Sequence, residues 1–356
     1  MANDNPDLAG NLSRHYGSEL ADRWRVLLGC LGRAALYLIL ILLFDCQAEA
    51  ADKLRLAVQK TGTFAWELAL MRDRGLDRKA GLDMEVTELA SPEAAKIALM
   101  GGAVDMILGD WLWVSRQRNL GRRLVFVPYS TALGAVMVPA TSPIEDLAGL
   151  KGKKIAVAGG PLDKSWLLLQ ALARESGLDI ATQANIIYGA PALLYQKAAN
   201  GEADATLNYW NFGVALESRG FRRLIGMDEV ERRLGAKGPV AMIGYVFDED
   251  FARTHADALS RFFKIAAEAK EVLAHSGADW EKIAQRIGIA RAAEVALYRQ
   301  TYIDGIPRRP VVEEAADARA LYRILVKIGG PDLVGNATEL DAGTFYQSTE
   351  MVPQER

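Results

Sequence analysis

Four short stretches bring together side chains that can hold a small molecule. They are Thr61-Gly62-Thr63 with Trp66, Gly109-Asp110-Trp111, Gly159-Gly160 running on through Asp163-Lys164-Ser165, and Asn208-Tyr209-Trp210-Asn211. Aromatic rings beside a few polar groups clamp flat or cationic molecules, and Asp110 and Asp163 supply negative charge against a positive group. Asp110-Trp111 and Tyr209-Trp210 are the hardest to explain as scaffolding, because each sets a bulky ring beside a polar residue directly after a predicted strand. Replacing Asp110 or Trp111 with alanine is therefore expected to weaken ligand binding with little loss of fold. The others admit structural readings. Asp163 can cap the helix it precedes, Lys164 can be solvated, Trp113 and Trp166 can face a core, and the glycines can serve tight turns.

Catalytic chemistry has little to draw on. Three histidines (His15, His255, His275) and two cysteines (Cys30, Cys46) nearly exclude a Cys/His zinc site or a disulfide framework. No G-x-S-x-G elbow, H-E-x-x-H pair or P-loop occurs. With 42 basic against 45 acidic side chains and a net charge of −3, the chain lacks the basic balance of a nucleic-acid binder. No catalytic residue, metal or cofactor is expected.

Arg14, Arg23, Arg25 and Arg33 precede the apolar run from Ala34 to Phe44, which is followed by Ala48-Glu49-Ala50. A basic region, a short apolar region and an A-x-A cleavage signal make residues 1–50 a signal peptide, with an uncleaved anchor as the alternative. The expected location is the periplasm. Both cysteines leave with the leader, so a chain beginning at Ala51 needs no oxidative folding.

The elements that must position the four stretches alternate strand and helix. Leu54, Leu56 and Val58 alternate as a strand before Thr61; a second strand covers 84–89, and Ser91-Pro92 caps a helix that Gly101-Gly102 stops. A third strand, 104–108, runs into Gly109-Asp110, and strands at 124–127 and 135–138 follow. Ser142-Pro143-Ile144-Glu145 has the form of a capping box. Strand, helix and turn then repeat over about 150–227, and beyond 247 the pattern is almost wholly helical to about Gly329. Right-handed crossovers between parallel strands make this an α/β chain of two lobes, each a mixed, mostly parallel sheet flanked by helices. The expected division is 51–139 for the first part of lobe one, 140–240 for lobe two, a mostly helical return to lobe one over 241–330, and a tail over 331–356. Crossings are expected near 138–142 and 239–246. Ligands of such sheets bind beyond the carboxyl ends of the strands, where all four stretches fall.

The order Leu54-Arg-Leu-Ala-Val58, Gly102-Ala-Val-Asp105, Ser142-Pro143-Ile through Gly152-Lys-Lys-Ile-Ala-Val157, and Gly201-Glu-Ala-Asp204-Ala resembles the nitrate/sulfonate/taurine-type substrate-binding proteins of ABC importers. Phe247-Asp-Glu-Asp-Phe251 followed by His255-Ala-Asp257-Ala extends the resemblance, which covers most of 53–275. It implies the type II periplasmic-binding-protein fold, a monomer that captures a small molecule by hinge closure, and delivery to a membrane permease driven by an ATPase. It also implies that loops 61–66, 109–111, 159–166 and 208–211 line the cleft. The richness in tryptophan and acids there departs from the sulfonate and nitrate pattern and makes an amine or a heterocycle as fitting as an oxyanion. Two alternatives share the fold: a periplasmic sensor that binds without transport, and an enzyme similar to the thiamine-pyrimidine synthases. The latter resemble one another in a cysteine-rich motif and histidines that the chain beyond Ala51 lacks.

Overall fold

The computed structural model describes residues 51–59 and 62–347. The expected signal peptide and Thr61 lie outside the described residues. The first run of elements is β1 (Asp52–Gln59), α1 (Thr63–Asp73), α2 (Leu76–Lys79), β2 (Leu82–Leu89), α3 (Pro92–Met100), β3 (Met106–Gly109), α4 (Trp111–Asn119) and β4 (Leu124–Ser130). The second is β5 (Ala135–Pro139), β6 (Lys154–Ala158), α5 (Lys164–Glu175), α6 (Ile180–Gln183), β7 (Asn185–Gly189), α7 (Pro191–Ala199), β8 (Ala205–Asn208), α8 (Trp210–Glu217), β9 (Phe221–Gly226) and α9 (Met227–Arg233). The chain closes with β10 (Ile243–Asp248), α10 (Glu249–Thr254), α11 (Ala256–His275), α12 (Gly277–Ile287), α13 (Ala292–Asp304) and α14 (Val311–Val334).

The strands form two sheets of the same plan, β2-β1-β3-β10-β4 and β7-β6-β8-β5-β9. In each, one strand runs against its neighbours: β10 is antiparallel to β3 and β4, and β5 to β8 and β9. This is the two-lobed α/β fold expected, with a helix after nearly every parallel strand.

The repeated acidic motifs have a structural duty. Asp105 accepts the Arg55 peptide N–H at 2.8 Å and pairs with the Arg55 guanidinium, while its own N–H returns to the Arg55 carbonyl. Asp204 does the same to Lys154, accepting its N–H at 2.8 Å and donating to its carbonyl. The aspartates thereby lock β3 to β1 in the first sheet and β8 to β6 in the second.

The first crossing lies earlier than the sequence pattern placed it. β4 and β5 read as neighbours of one sheet, but β5 pairs only in the second, so the passage is 131–134 rather than 138–142. Gly134 is required there, since a Cβ on it would fall 1.8 Å from the Asn208 carbonyl oxygen. The capping box at Ser142 does not form either. Arg222 donates to the Ser142 and Ile144 carbonyls, and the stretch carries only a 3₁₀ turn at Ala148–Leu150. The second crossing runs between α9 and β10, about 234–242.

The helices after β10 divide their packing. α11 lies on α1 and α2 of the first lobe, whereas α13 packs on α8 of the second as well as on α11, and α14 packs on both α4 and α5. The return over 241–330 is thus a return to the first lobe for β10 through α12 only. α14 joins a core that runs from Trp111, Val114 and Phe126 through Leu321, Tyr322 and Leu325 to Trp166, Leu169 and Ala173.

Candidate ligand site between the lobes

β3 delivers Asp110 to the end of the first sheet, where it caps α4 by accepting the Trp113 N–H at 2.8 Å. β6 and its loop deliver Asp163 to the equivalent place in the second lobe, where it caps α5 through the Trp166 N–H at 3.2 Å. Two helix N-termini, one in each lobe, therefore carry their own carboxylates. Lys164, the first residue of α5, reaches to the first lobe: its Nζ lies 3.3 Å from Asp110 Oδ2, and Lys96 Nζ of α3 lies 3.4 Å from the same oxygen. One buried carboxylate thus serves an ammonium from each lobe.

The charges hold one another. Burial pushes the Asp110 carboxyl up, but Lys164, Lys96 and the Trp113 amide outweigh it and bring it down to about 2. Burial pulls Lys164 down, while Asp110, Asp163 and Tyr209 overcome this and hold it above the ordinary lysine range. Asp163 moves the other way, raised by burial against the pull of Lys164 and the helix amides. At neutral pH Lys164 is charged and Asp110 is ionised beside it.

Tyr209 precedes α8 without a side-chain cap and stands 40% exposed, its N–H held by Asn208 Oδ1 at 2.8 Å. Gly62 likewise precedes α1 with no side-chain cap, so the first amides of these two helices are not met by a side chain from the N-cap position. Gly160 is half-buried and accepts the Asp163 N–H, and Ser165 lies half-buried in the first turn of α5. Asp110, Asp163, Lys164, Ser165 and Tyr209 are in this way brought to one end of the two sheets.

The three tryptophans expected to clamp a ligand, Trp66, Trp111 and Trp210, are all buried. Trp111 is fully buried, its ring 6.4 Å from Tyr322 of α14, with no surface left to offer the cleft. Its replacement by alanine removes core rather than cleft. Trp66 and Trp210 are buried too, and their rings meet edge to face at 6.1 Å, one from each lobe. Tyr298 of α13 completes this cluster and donates its hydroxyl to the Asn211 carbonyl at 2.7 Å. Gly109 lies buried inside β3 against Val246.

Below α1, Thr63 shares a 3.0 Å hydrogen bond with the Tyr129 hydroxyl. One helical turn further along α1, Glu67 is wholly buried and accepts from Lys270 at 2.6 Å and Tyr302 at 2.5 Å. Lys270 sits 3.9 Å over the Tyr129 ring. The sequence reading missed Lys96, Glu67, Lys270, Tyr129 and Tyr298. The one signal available was a charged residue inside an otherwise apolar helical pattern, as in Pro92-Glu-Ala-Ala-Lys96-Ile-Ala-Leu-Met100. No group of three or more His, Cys, Asp or Glu able to hold a metal ion occurs among the described residues.

The NMT1/THI5-like family model matches residues 69–276. Among solved structures, the chain is similar to the periplasmic aliphatic sulphonate-binding protein SsuA of Escherichia coli, with 21% identity, a TM-score of 0.66, and 86% of this chain and 95% of that one covered. It is also similar to the alkanesulfonate-binding protein SsuA of Xanthomonas axonopodis pv. citri bound to MOPS, with 20% identity, a TM-score of 0.64, and coverage of 85% and 100%. A Candida albicans protein, CA3427, described as having the generic periplasmic-binding-protein fold, aligns at 13% identity and a TM-score of 0.53 over 78% of this chain and 90% of that one. No curated protein sequence matches. At these identities the structural likeness is one of fold, and the fold is that of the periplasmic binding proteins. The family match is of another kind: it spans more than half of the chain, from within α1 to just past α11, and the chain belongs to the NMT1/THI5-like family.

Proposed function

We propose that this protein is the solute-binding component of an ABC importer, working in the periplasm. A small organic molecule or ion enters between the lobes, the lobes rotate about the crossings at 131–134 and 234–242, and closure shields it from water before delivery to a permease. The observation that carries this reading is the Asp110–Lys164 ion pair, which spans the cleft at the carboxyl ends of both sheets. Inserting a molecule there parts a buried carboxylate from a half-buried ammonium, so the ligand must supply groups that satisfy them. The fold of the SsuA proteins and the family membership support the same reading. Among the described residues no helix is long and apolar enough to cross a membrane, and His255 and His275 lie exposed at the ends of α11 rather than in the cleft.

The assignment is tested by native mass spectrometry of the purified protein for a co-purified compound, followed by thermal-shift screening of sulfonates, amines and heterocycles. Stabilisation by one class, with loss of its uptake when the gene is deleted, is the expected result. Turnover of the bound compound would replace the importer with an enzyme, and retained uptake would replace it with a sensor.

A further inference from the structure

The second crossing is held in an unusual way. From Lys237 to Ala241 every peptide N–H that exists is taken by a carboxyl group of a neighbouring helix, Pro239 having none. Asp317 Oδ2 of α14 accepts from Lys237 and Gly238 at 3.0 and 3.2 Å, Glu231 Oε2 of α9 accepts from Val240 at 3.4 Å, and Glu314 Oε1 of α14 accepts from Ala241 at 2.7 Å. Glu231 and Glu314 are each 1% exposed and Asp317 5%. Three acidic side chains thus converge on a five-residue segment through which the chain passes between lobes.

Little positive charge answers them. Arg309, ahead of α14, binds Asp317 at 2.9 Å and the Pro239 carbonyl at 3.1 Å, and shares itself with Glu313 at 3.8 Å. Lys237 is exposed, and Asp228 on α9 adds further negative charge toward Glu231. Glu231 Oε1 has no hydrogen-bond partner among the described residues and is sealed from solvent. Beside Glu314 lies a cavity of about 150 Å³ bordered by Pro239, Arg308, Arg309, Asp304, Ile306 and Thr131, the last from the first crossing. Burial pushes Glu314 up to about 7 against the pull of the Ala241 amide and Arg309. It pushes Glu231 well above the ordinary carboxyl range too, with Glu314, Asp228 and Asp317 adding to it against the Val240 amide.

We propose that Glu231 and Glu314 make this crossing a proton-responsive hinge. Protonated, they clamp residues 237–241 between α9 and α14; ionised, they repel each other and Asp317 and release the segment, so that the lobes part more readily. The sign follows from linkage. A carboxyl raised by burial binds its proton more tightly in the clamped form than in a released, solvated one. Its contribution is complete below the ordinary carboxyl range and is lost as pH rises through about 7 for Glu314.

Hydrogen exchange at the amides of 237, 238, 240 and 241 in the purified, ligand-free protein tests this, with rates corrected for the chemical effect of pH. Through Glu314 the opening equilibrium is expected to rise by about tenfold per pH unit between the ordinary carboxyl value and about 7 and to level off above it. Glu314→Gln is expected to remove most of that rise, and Glu231→Gln to reduce it. Protection independent of pH in the wild type, or an unchanged rise in both variants, overturns the proposal. Should either variant fail to fold, carbon-13 titration of the glutamate carboxyls in the wild type decides: a midpoint near 7 supports the hinge, and ordinary carboxyl midpoints overturn it. No ligand takes part, so the outcome is separate from that of the importer assignment.

Discussion

Asp110 and Lys164 belong to different lobes and lie 3.3 Å apart, on a carboxylate that Lys96 already serves from its own side. Lys164 therefore adds, from the other lobe, a second ammonium to a pair that is complete without it. The first lobe holds a neutral ion pair at its strand ends, and the second contributes Lys164 with Asp163 beside it. A ligand entering there, as proposed, would exchange with a contact the protein makes to itself.

Substituting Asp110 separates two duties. Asp110→Asn keeps an acceptor for the Trp113 amide but removes the charge, leaving two ammoniums without their carboxylate; a loss of about 3 kcal/mol is expected. Asp110→Ala removes the cap as well and is expected to cost about 1 kcal/mol more. Both are expected to weaken ligand binding at least tenfold in thermal-shift titration, and urea unfolding gives the stability values. Equal stability of the two variants would show that the cap contributes nothing.

The same carboxylate predicts an acid response. Held at about 2 against an ordinary 3.8, Asp110 contributes stability that is present above the ordinary value and is lost as pH falls through about 2. The stability gap between wild type and Asp110→Asn is expected to shrink by roughly 2 kcal/mol between pH 4 and pH 2. Unfolding curves at stepped pH measure it, and a gap that stays constant would place the carboxyl in solvent.

Trp111→Ala is expected to destabilise the protein by about 3–5 kcal/mol, since it empties a fully buried site between the first sheet and α14. Trp111→Phe is expected to recover much of that loss. Wild-type stability for Trp111→Ala would contradict the packing of α14 on α4.

Glu67 and Lys270 form a pair with almost no exposure, in which Glu67 Oε2 has no partner among the described residues. Lys270→Met alone leaves an unpaired buried carboxylate and is expected to cost about 3–5 kcal/mol, whereas Glu67→Leu combined with Lys270→Met is expected to return most of it. A double-mutant cycle by urea denaturation reads the coupling. Additive losses would mean that the two groups act independently.

Much of the scaffold was legible because it depends on local pattern. Ser91-Pro92 caps α3 as read, with Ser91 Oγ accepting from Ala94, and the alternation of strands and helices gave both sheets their crossovers. Asp163 was legible both as a cap and as a charge, and the structure shows the cap, whereas Asp110 was read only as a charge although it caps α4 as well. Trp111 was misread because its direction depends on α14, some two hundred residues further on. Lys96, Glu67 and Lys270 were missed because a single charge in an apolar helix usually points to water; here each finds a partner brought by another element. The first crossing was misplaced because nothing local to β4 and β5 says that consecutive strands enter different sheets.

That exchange of strands has a consequence for how the chain is made. β10 lies between β3 and β4, yet it is synthesised only after the whole second lobe. Until it arrives, the first sheet has a gap flanked by two unpaired strand edges, Met106–Gly109 and Leu124–Ser130, each open to the wrong partner. The second lobe, by contrast, has all five of its strands once Gly226 is made. The sheet that begins first in the sequence is the one that finishes last, and a chain cut short before Ile243 would present an incomplete sheet beside a complete one.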